Sequence, residues 1–198
     1  EAADNFYRKF RVNKYITDPS TEEDQPIISM SNQVSGMGYS SNSYGKASLS
    51  YLAVKDLLGD ALFKKCLHAY MHNWNGKHPI PWDYFNSFNT AAGQNLNWFW
   101  NNWFFSNNYI DLTLSGVTLK GKKAGLHIIN TGGFAVPLDV VVTYADGSTQ
   151  RVHKTPGVWK ANSKELSLDL PVTGDVVSVK LDGNLFMDAD ARDNEWKK

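Results

Sequence analysis

From Tyr44 to Leu58 the apolar residues Ala47, Tyr51, Leu52, Val54, Leu57 and Leu58 recur at the spacing of one face of a helix. The pattern predicts a helix over about 44–58, with Gly59 placed to cap its C-terminus. Asp60 is placed to cap a second helix, whose apolar face is Leu62, Phe63, Cys66, Leu67, Tyr70, Met71 and Trp74. Gly76, Pro79 and Pro81 stop it. A third helix is expected from near Trp82 through Tyr84, Phe85 and Phe88. A fourth follows Gly93 over NLNWFWNNWFF, with Leu96, Phe99, Trp100, Trp103 and Phe104 inward.

Beyond Asn107-Asn108 the period changes to two. DLTLSGVTL, AGLHIIN, PLDVVVTY, STQRVHK, ELSLDL and VVSVKL alternate as half-buried strands do, and turn residues such as Ser115-Gly116, Asn130-Thr131-Gly132-Gly133 and Thr173-Gly174-Asp175 punctuate them. Asp146-Gly147 reads as the tight turn of a hairpin. Six or seven short strands in this length fit an antiparallel, immunoglobulin-like β-sandwich. The fold class is therefore α+β in two parts, a helical bundle over 1–108 followed by a sandwich over 109–198. Residues 1–42 open with a short helical stretch (Phe6, Tyr7, Phe10) and continue through Asp18-Pro19-Ser20, the TEED run and SGMGYSSNS, a composition of connecting segments.

Composition narrows the function classes. The chain has 198 residues, 42% of them hydrophobic and 13% aromatic, enough for packed cores. Lys and Arg total 20, as do Asp and Glu, so the basic excess of a nucleic-acid binder is missing. No apolar run reaches the roughly 18 residues of a membrane span. Cys66 is the only cysteine, which rules out an internal disulfide and leaves the compartment unread. The first residues, EAADNFYRKF, lack the apolar core of a signal peptide. The expectation is that the chain starts within a longer protein; a periplasmic or extracellular location is expected with no targeting signal inside the chain.

Tyr39-Ser-Ser-Asn-Ser-Tyr44-Gly-Lys46-Ala47, followed by an amphipathic helix ending Leu57-Leu58-Gly59-Asp60, resembles the catalytic-tyrosine segment of the aminopeptidase N and leukotriene hydrolase family of zinc metallopeptidases, the gluzincins. In that family Tyr-x-Lys-Gly/Ala opens a helix downstream of the zinc ligands. The likeness continues through Phe63, Tyr70, Asp83-Tyr84-Phe85 and Leu96…Phe99-Trp100…Trp103, over roughly residues 25–105. The second half is similar to the small sandwich that follows the catalytic domain, through Asn130…Gly133…Pro137, Asp146-Gly147, Trp159 and DGNLFMDADARDN. The resemblance implies that 1–108 is the C-terminal helical part of a thermolysin-like catalytic domain.

The family's zinc motif, His-Glu-x-x-His with a later Glu, is absent from these 198 residues. Of the five histidines only His68 and His72 are four apart, and Ala69 stands where the general base belongs. Those two with Cys66 are a conceivable metal site, but the preferred reading is an ordinary partly buried helix face without a third ligand. The implied arrangement is no metal in this chain, zinc in the full-length protein, a peptide as substrate, and the upstream zinc-binding half of the same polypeptide as partner. Alone, the chain is expected to be inactive.

Matching the motif residue by residue places the catalytic role on Tyr44, as hydrogen-bond donor to the oxyanion of the scissile carbonyl. A tyrosine phenol, with an ordinary pKa of about 10, keeps its proton for that purpose at neutral pH. The alternative is a tyrosine packed at a helix N-terminus; the Gly- and Ser-rich segment before it favours a loop that carries the phenol into a cleft. Tyr39 is the weaker candidate, a substrate-binding wall of that cleft. Trp82, Trp98, Trp100, Trp103, Phe104 and Phe105 suggest a sugar- or peptide-binding platform, yet helical spacing makes most of them core, with Trp98 the one expected to be exposed. Competing readings are a non-catalytic helical plus β-sandwich module for glycan or protein recognition, and a degenerate metallopeptidase homologue serving as scaffold.

Overall fold

The computed structural model describes residues 2–9, 25–34 and 36–198. Expectations for Phe10, Asp18-Pro19-Ser20 and the TEED run fall outside these. The chain forms two compact units, one of Thr21–Asn107 and one of Asn108–Lys198 together with Glu1–Ser20. Sequence reasoning places the first twenty residues with the helices. Among the described ones, helix α1 (Ala2–Tyr7) is followed by Arg8, whose guanidinium donates to Asn184 Oδ1 at 2.6 Å within the strand-bearing unit.

The helical unit carries α2 (Gly36–Ser40), a π-helical turn (Ser41–Lys46), α3 (Ala47–Leu58), α4 (Asp60–Trp74), α5 (Pro81–Ala92) and α6 (Asn97–Phe104). The expected loop over SGMGYSSNS is overturned: from Gly36 these residues are helical and lead without a break into α3. Gly59 separates α3 from α4 at φ +74°, where a side chain is strained although nothing lies within 4 Å of an added Cβ. Gly59 therefore takes the cap position expected of Asp60, which is instead the first residue of α4. At the head of α5 the Ile80 N–H donates to Asp83 Oδ2 at 2.9 Å, with Pro81 at the first helical position.

An aromatic core binds α5 to α6. Tyr84 and Phe88 lie 4.5 Å apart between ring centroids, and Phe85 stacks on Trp100 at 5.2 Å. Each such pair contributes about 0.5–1.5 kcal/mol beyond its buried area. Asn89 holds the corner between the helices: its Oδ1 accepts from Trp100 Nε1 at 3.0 Å and from the Leu96 N–H at 3.1 Å. Leu49, Ala53, Val54 and Cys66 complete the core from α3 and α4.

The second unit has seven strands: β1 (Leu112–Lys120), β2 (Lys123–Asn130), β3 (Leu138–Tyr144), β4 (Thr149–Lys154), β5 (Glu165–Pro171), β6 (Val176–Asp182) and β7 (Glu195–Lys197). They form two antiparallel sheets, β1-β2-β5 and β4-β3-β6-β7. Six strands fall where the alternation predicts them; β7, three residues long and mostly polar, does not announce itself. The alternation is what buries Leu126 and Ile128 in β2, Leu138, Val140 and Val142 in β3, and Val179 and Leu181 in β6. Each such side chain contributes about 1.5–3 kcal/mol. The β3–β4 hairpin closes at Asp146-Gly147, where Gly147 has φ +82° and the Tyr144 N–H bonds the Ser148 carbonyl at 2.9 Å.

The residues that carry the resemblance in this unit are structural. Asn130, buried, accepts from the Gly133 N–H at 2.8 Å and donates to the Phe134 carbonyl at 3.0 Å, which fixes the turn after β2. Trp159, also buried, donates from Nε1 to the Val136 carbonyl at 2.9 Å.

Candidate active site

Tyr44 sits in the π-helical turn and is 48% exposed; Tyr39, in α2, is 40% exposed. The structure brings the two together, ring centroids 6.0 Å apart and planes at 69°. The π turn makes this possible. Residues five apart on an α-helix point about 140° away from each other, whereas an i→i+5 turn returns the chain to nearly the same side. The Ala47 N–H bonds the Asn42 carbonyl across that wider turn. Hydrogen bonding with Tyr44, then the neighbouring phenol's field, and last desolvation raise the Tyr39 pKa above its ordinary value.

The opposite side of the turn is buried. Lys46 of the Tyr-x-Lys-Ala motif is fully covered and its Nζ donates to the Gln25 carbonyl at 3.3 Å. Asn42 is buried with neither atom of its side-chain amide hydrogen-bonded. The turn thus directs two polar residues inward and presents a tyrosine pair outward, with Ser48 and Ser50 bonding the Gly45 and Ala47 carbonyls one turn back, at 2.9 and 2.7 Å.

Helix α4 carries the histidine pair His68 and His72. His68 and His72 are exposed on its surface, while Cys66 points inward, its thiol 3.8 Å from the Phe88 carbonyl and its pKa raised by burial. The one cluster of potential metal ligands among the described residues is Asp111, Asp188 and Asp193, all oxygen donors. These residues do not fit a zinc site of the His/Glu kind. A groove between α4 and α5, lined by Lys65, His72, Trp74, Asp83 and Ser87 among others, includes neither tyrosine. The aromatic expectation needs correction: Trp98 is half-buried against Phe99, and the exposed members of that cluster are Trp82 (51%) and Phe105 (41%), which meet edge to face.

A family model described as the Peptidase family M1 domain matches residues 3–103, just over half the chain. The chain belongs to peptidase family M1. Among solved structures, this M1 chain is similar to the crystal structure of Legionella pneumophila aminopeptidase A in complex with aspartic acid, with a TM-score of 0.59 and 12% identity over 90% of its own length. That likeness shows the fold, helices followed by sandwich. The M1 chain spans about a fifth of that aminopeptidase, 21% of its length. No curated protein matches it.

The sequence singles out both tyrosines but not their contact, because Gly- and Ser-rich segments carry no visible signal for a π turn. It also missed the three aspartates, which come from opposite ends of the sandwich sequence.

Proposed function

We propose that this chain is the C-terminal helical and sandwich part of a zinc aminopeptidase, in which Tyr44 stabilises the oxyanion formed at the scissile carbonyl of an N-terminal peptide bond. The observation that supports this reading is the placement of Tyr44, outward on a π turn at the motif position, with the Tyr39 ring edge to face beside it. A hydroxyl that accepts one hydrogen bond is polarised into a stronger donor. In this reading Tyr39 prepares Tyr44 and lines the substrate cleft, and the Tyr44 O–H meets the carbonyl oxygen as charge develops on it.

No zinc is assigned to residues of this chain; the reading places it, and the general base, on the upstream half of the same polypeptide, which is the partner implied. The substrate is a peptide with a free N-terminus. A non-catalytic recognition module is the second reading, favoured by the exposed Trp82–Phe105 pair.

The two readings separate in an aminoacyl-anilide assay of this chain and of the longer polypeptide, each loaded with zinc. Activity in the longer protein alone supports the proposal. Zinc-dependent turnover by this chain by itself, or none by either, overturns it.

A further inference from the structure

Asp111, Asp188 and Asp193 each bring a carboxylate oxygen within 4.8 Å of the other two. Asp111 precedes β1, Asp188 lies between β6 and β7, and Asp193 ends the short 3-10 turn Ala191–Asp193. All are partly buried. Among the described residues their hydrogen-bond donors are neutral: the Leu112 N–H to Asp188 Oδ2 at 2.8 Å, the Asp190 N–H to Asp188 Oδ1 at 2.9 Å, the Thr113 hydroxyl to Asp193 Oδ2 at 2.7 Å, and the Tyr109 phenol to Asp111. Arg192, whose field reaches Asp193, forks onto both oxygens of Asp190 at 2.7 and 2.6 Å.

A second observation is independent of the carboxylates' proximity. Asn194 is 5% exposed, its amide is hydrogen-bonded to Asp188 and so stands at the cluster, and its Oδ1 has no hydrogen-bond partner. Oδ1 of Asp193 is likewise buried and unpartnered. Folds rarely keep a buried oxygen without a donor; a cation satisfies it.

We propose that Asp111, Asp188, Asp193 and the Asn194 amide oxygen form a binding site for a hard divalent cation, Ca²⁺ in particular. Carboxylate and amide oxygens are the ligands of Ca²⁺, which takes six to eight of them at about 2.3–2.6 Å. Two ligands across such an ion are at most about 5.2 Å apart, a limit the cluster meets. A carboxylate oxygen that accepts one N–H keeps a second lone pair, so the backbone bonds to Asp188 orient it and leave it able to ligate. A bound ion would tie the start of β1 to the segment that leads into β7. The site owes nothing to the reading of Tyr44.

The test is calorimetric titration of the chelator-treated chain with CaCl₂, together with its Tm in chelator and in calcium, for the native sequence, Asp111→Asn and Asp193→Asn. One ion per chain is expected, with a Kd of about 10⁻⁴–10⁻³ M. At a hundredfold excess over Kd the folding equilibrium constant rises by about 100, read as a higher Tm. Asp193→Asn loses the binding. Asp111→Asn raises the Tm in chelator, because it relieves repulsion, and loses the gain from calcium, a combination that misfolding does not produce. Absence of heat and of any Tm change up to about 10 mM Ca²⁺ overturns the proposal, as does binding that survives both substitutions.

Discussion

Tyr39 and Tyr44, five residues apart, pack edge to face with ring centroids 6.0 Å apart. The contact depends on the π turn Ser41–Lys46. Hydrogen bonding with Tyr44 raises the Tyr39 pKa above the ordinary value in the native chain. Tyr44→Phe removes that partner hydroxyl, and the Tyr39 pKa is expected to fall back towards that value. Ultraviolet difference titration of the phenolates, or NMR of labelled tyrosine, reads the change; a Tyr39 pKa unaltered by the substitution contradicts the contact.

Asn42 is the polar cost of the same turn. Its amide is buried without partners, and replacing a buried unsatisfied group by an apolar one of similar size removes a penalty of about 1–3 kcal/mol. Asn42→Leu is therefore expected to raise the urea midpoint of the helical unit, by the equivalent of about 1 kcal/mol after imperfect packing is allowed for. A clear fall in the midpoint means that Asn42 finds a donor or acceptor in solution.

Trp159 tests the sandwich core. It is buried to 1% exposure and satisfies the Val136 carbonyl at 2.9 Å. Trp159→Ala leaves a cavity and an orphaned carbonyl, with an expected loss of about 3–5 kcal/mol. A loss under about 1 kcal/mol in equilibrium denaturation shows that the Trp159 packing is not formed as described.

Cys66 lies in the core of the helical unit with its pKa raised by burial. A thiol that is both covered and protonated reacts slowly, since the thiolate is the nucleophile. Labelling by a disulfide reagent at neutral pH is expected to be slow in the native chain and fast in urea. Rapid native labelling places Cys66 at the surface of α4, alongside His68 and His72.

Much of this fold can be read from the sequence where burial sets the pattern. Phe63, Cys66, Leu67 and Trp74 recur at helical spacing because one face of α4 packs inward, and the alternation in LDVVVTY follows from Leu138, Val140 and Val142 facing the core. Reading failed where a local device replaces periodicity. The run GMGYSSNS lacks apolar spacing, and its helix continues into the π turn, which buries Gly45 together with Asn42 and Lys46, the two side chains least expected there. Trp98 and Trp82 are alike in sequence, and only packing decides that the first is half covered and the second exposed. The aspartate cluster depends on contacts such as that of Leu112 with Asp188, 76 residues apart, which single-chain spacing does not encode.

The central claim is that Tyr44 donates to the developing oxyanion, and the direct measurement is steady-state kinetics of Tyr44→Phe in the longer, zinc-loaded polypeptide. The substitution removes one donor and keeps the ring. A group that acts in the transition state lowers kcat and kcat/KM together and leaves KM nearly unchanged. The expected loss in kcat is about 10²–10³, the range found for single oxyanion-hole donors, with a smaller loss for Tyr39→Phe, which acts through Tyr44. A Tyr44→Phe enzyme that keeps full kcat contradicts the account and leaves Tyr44 as a residue of the surface.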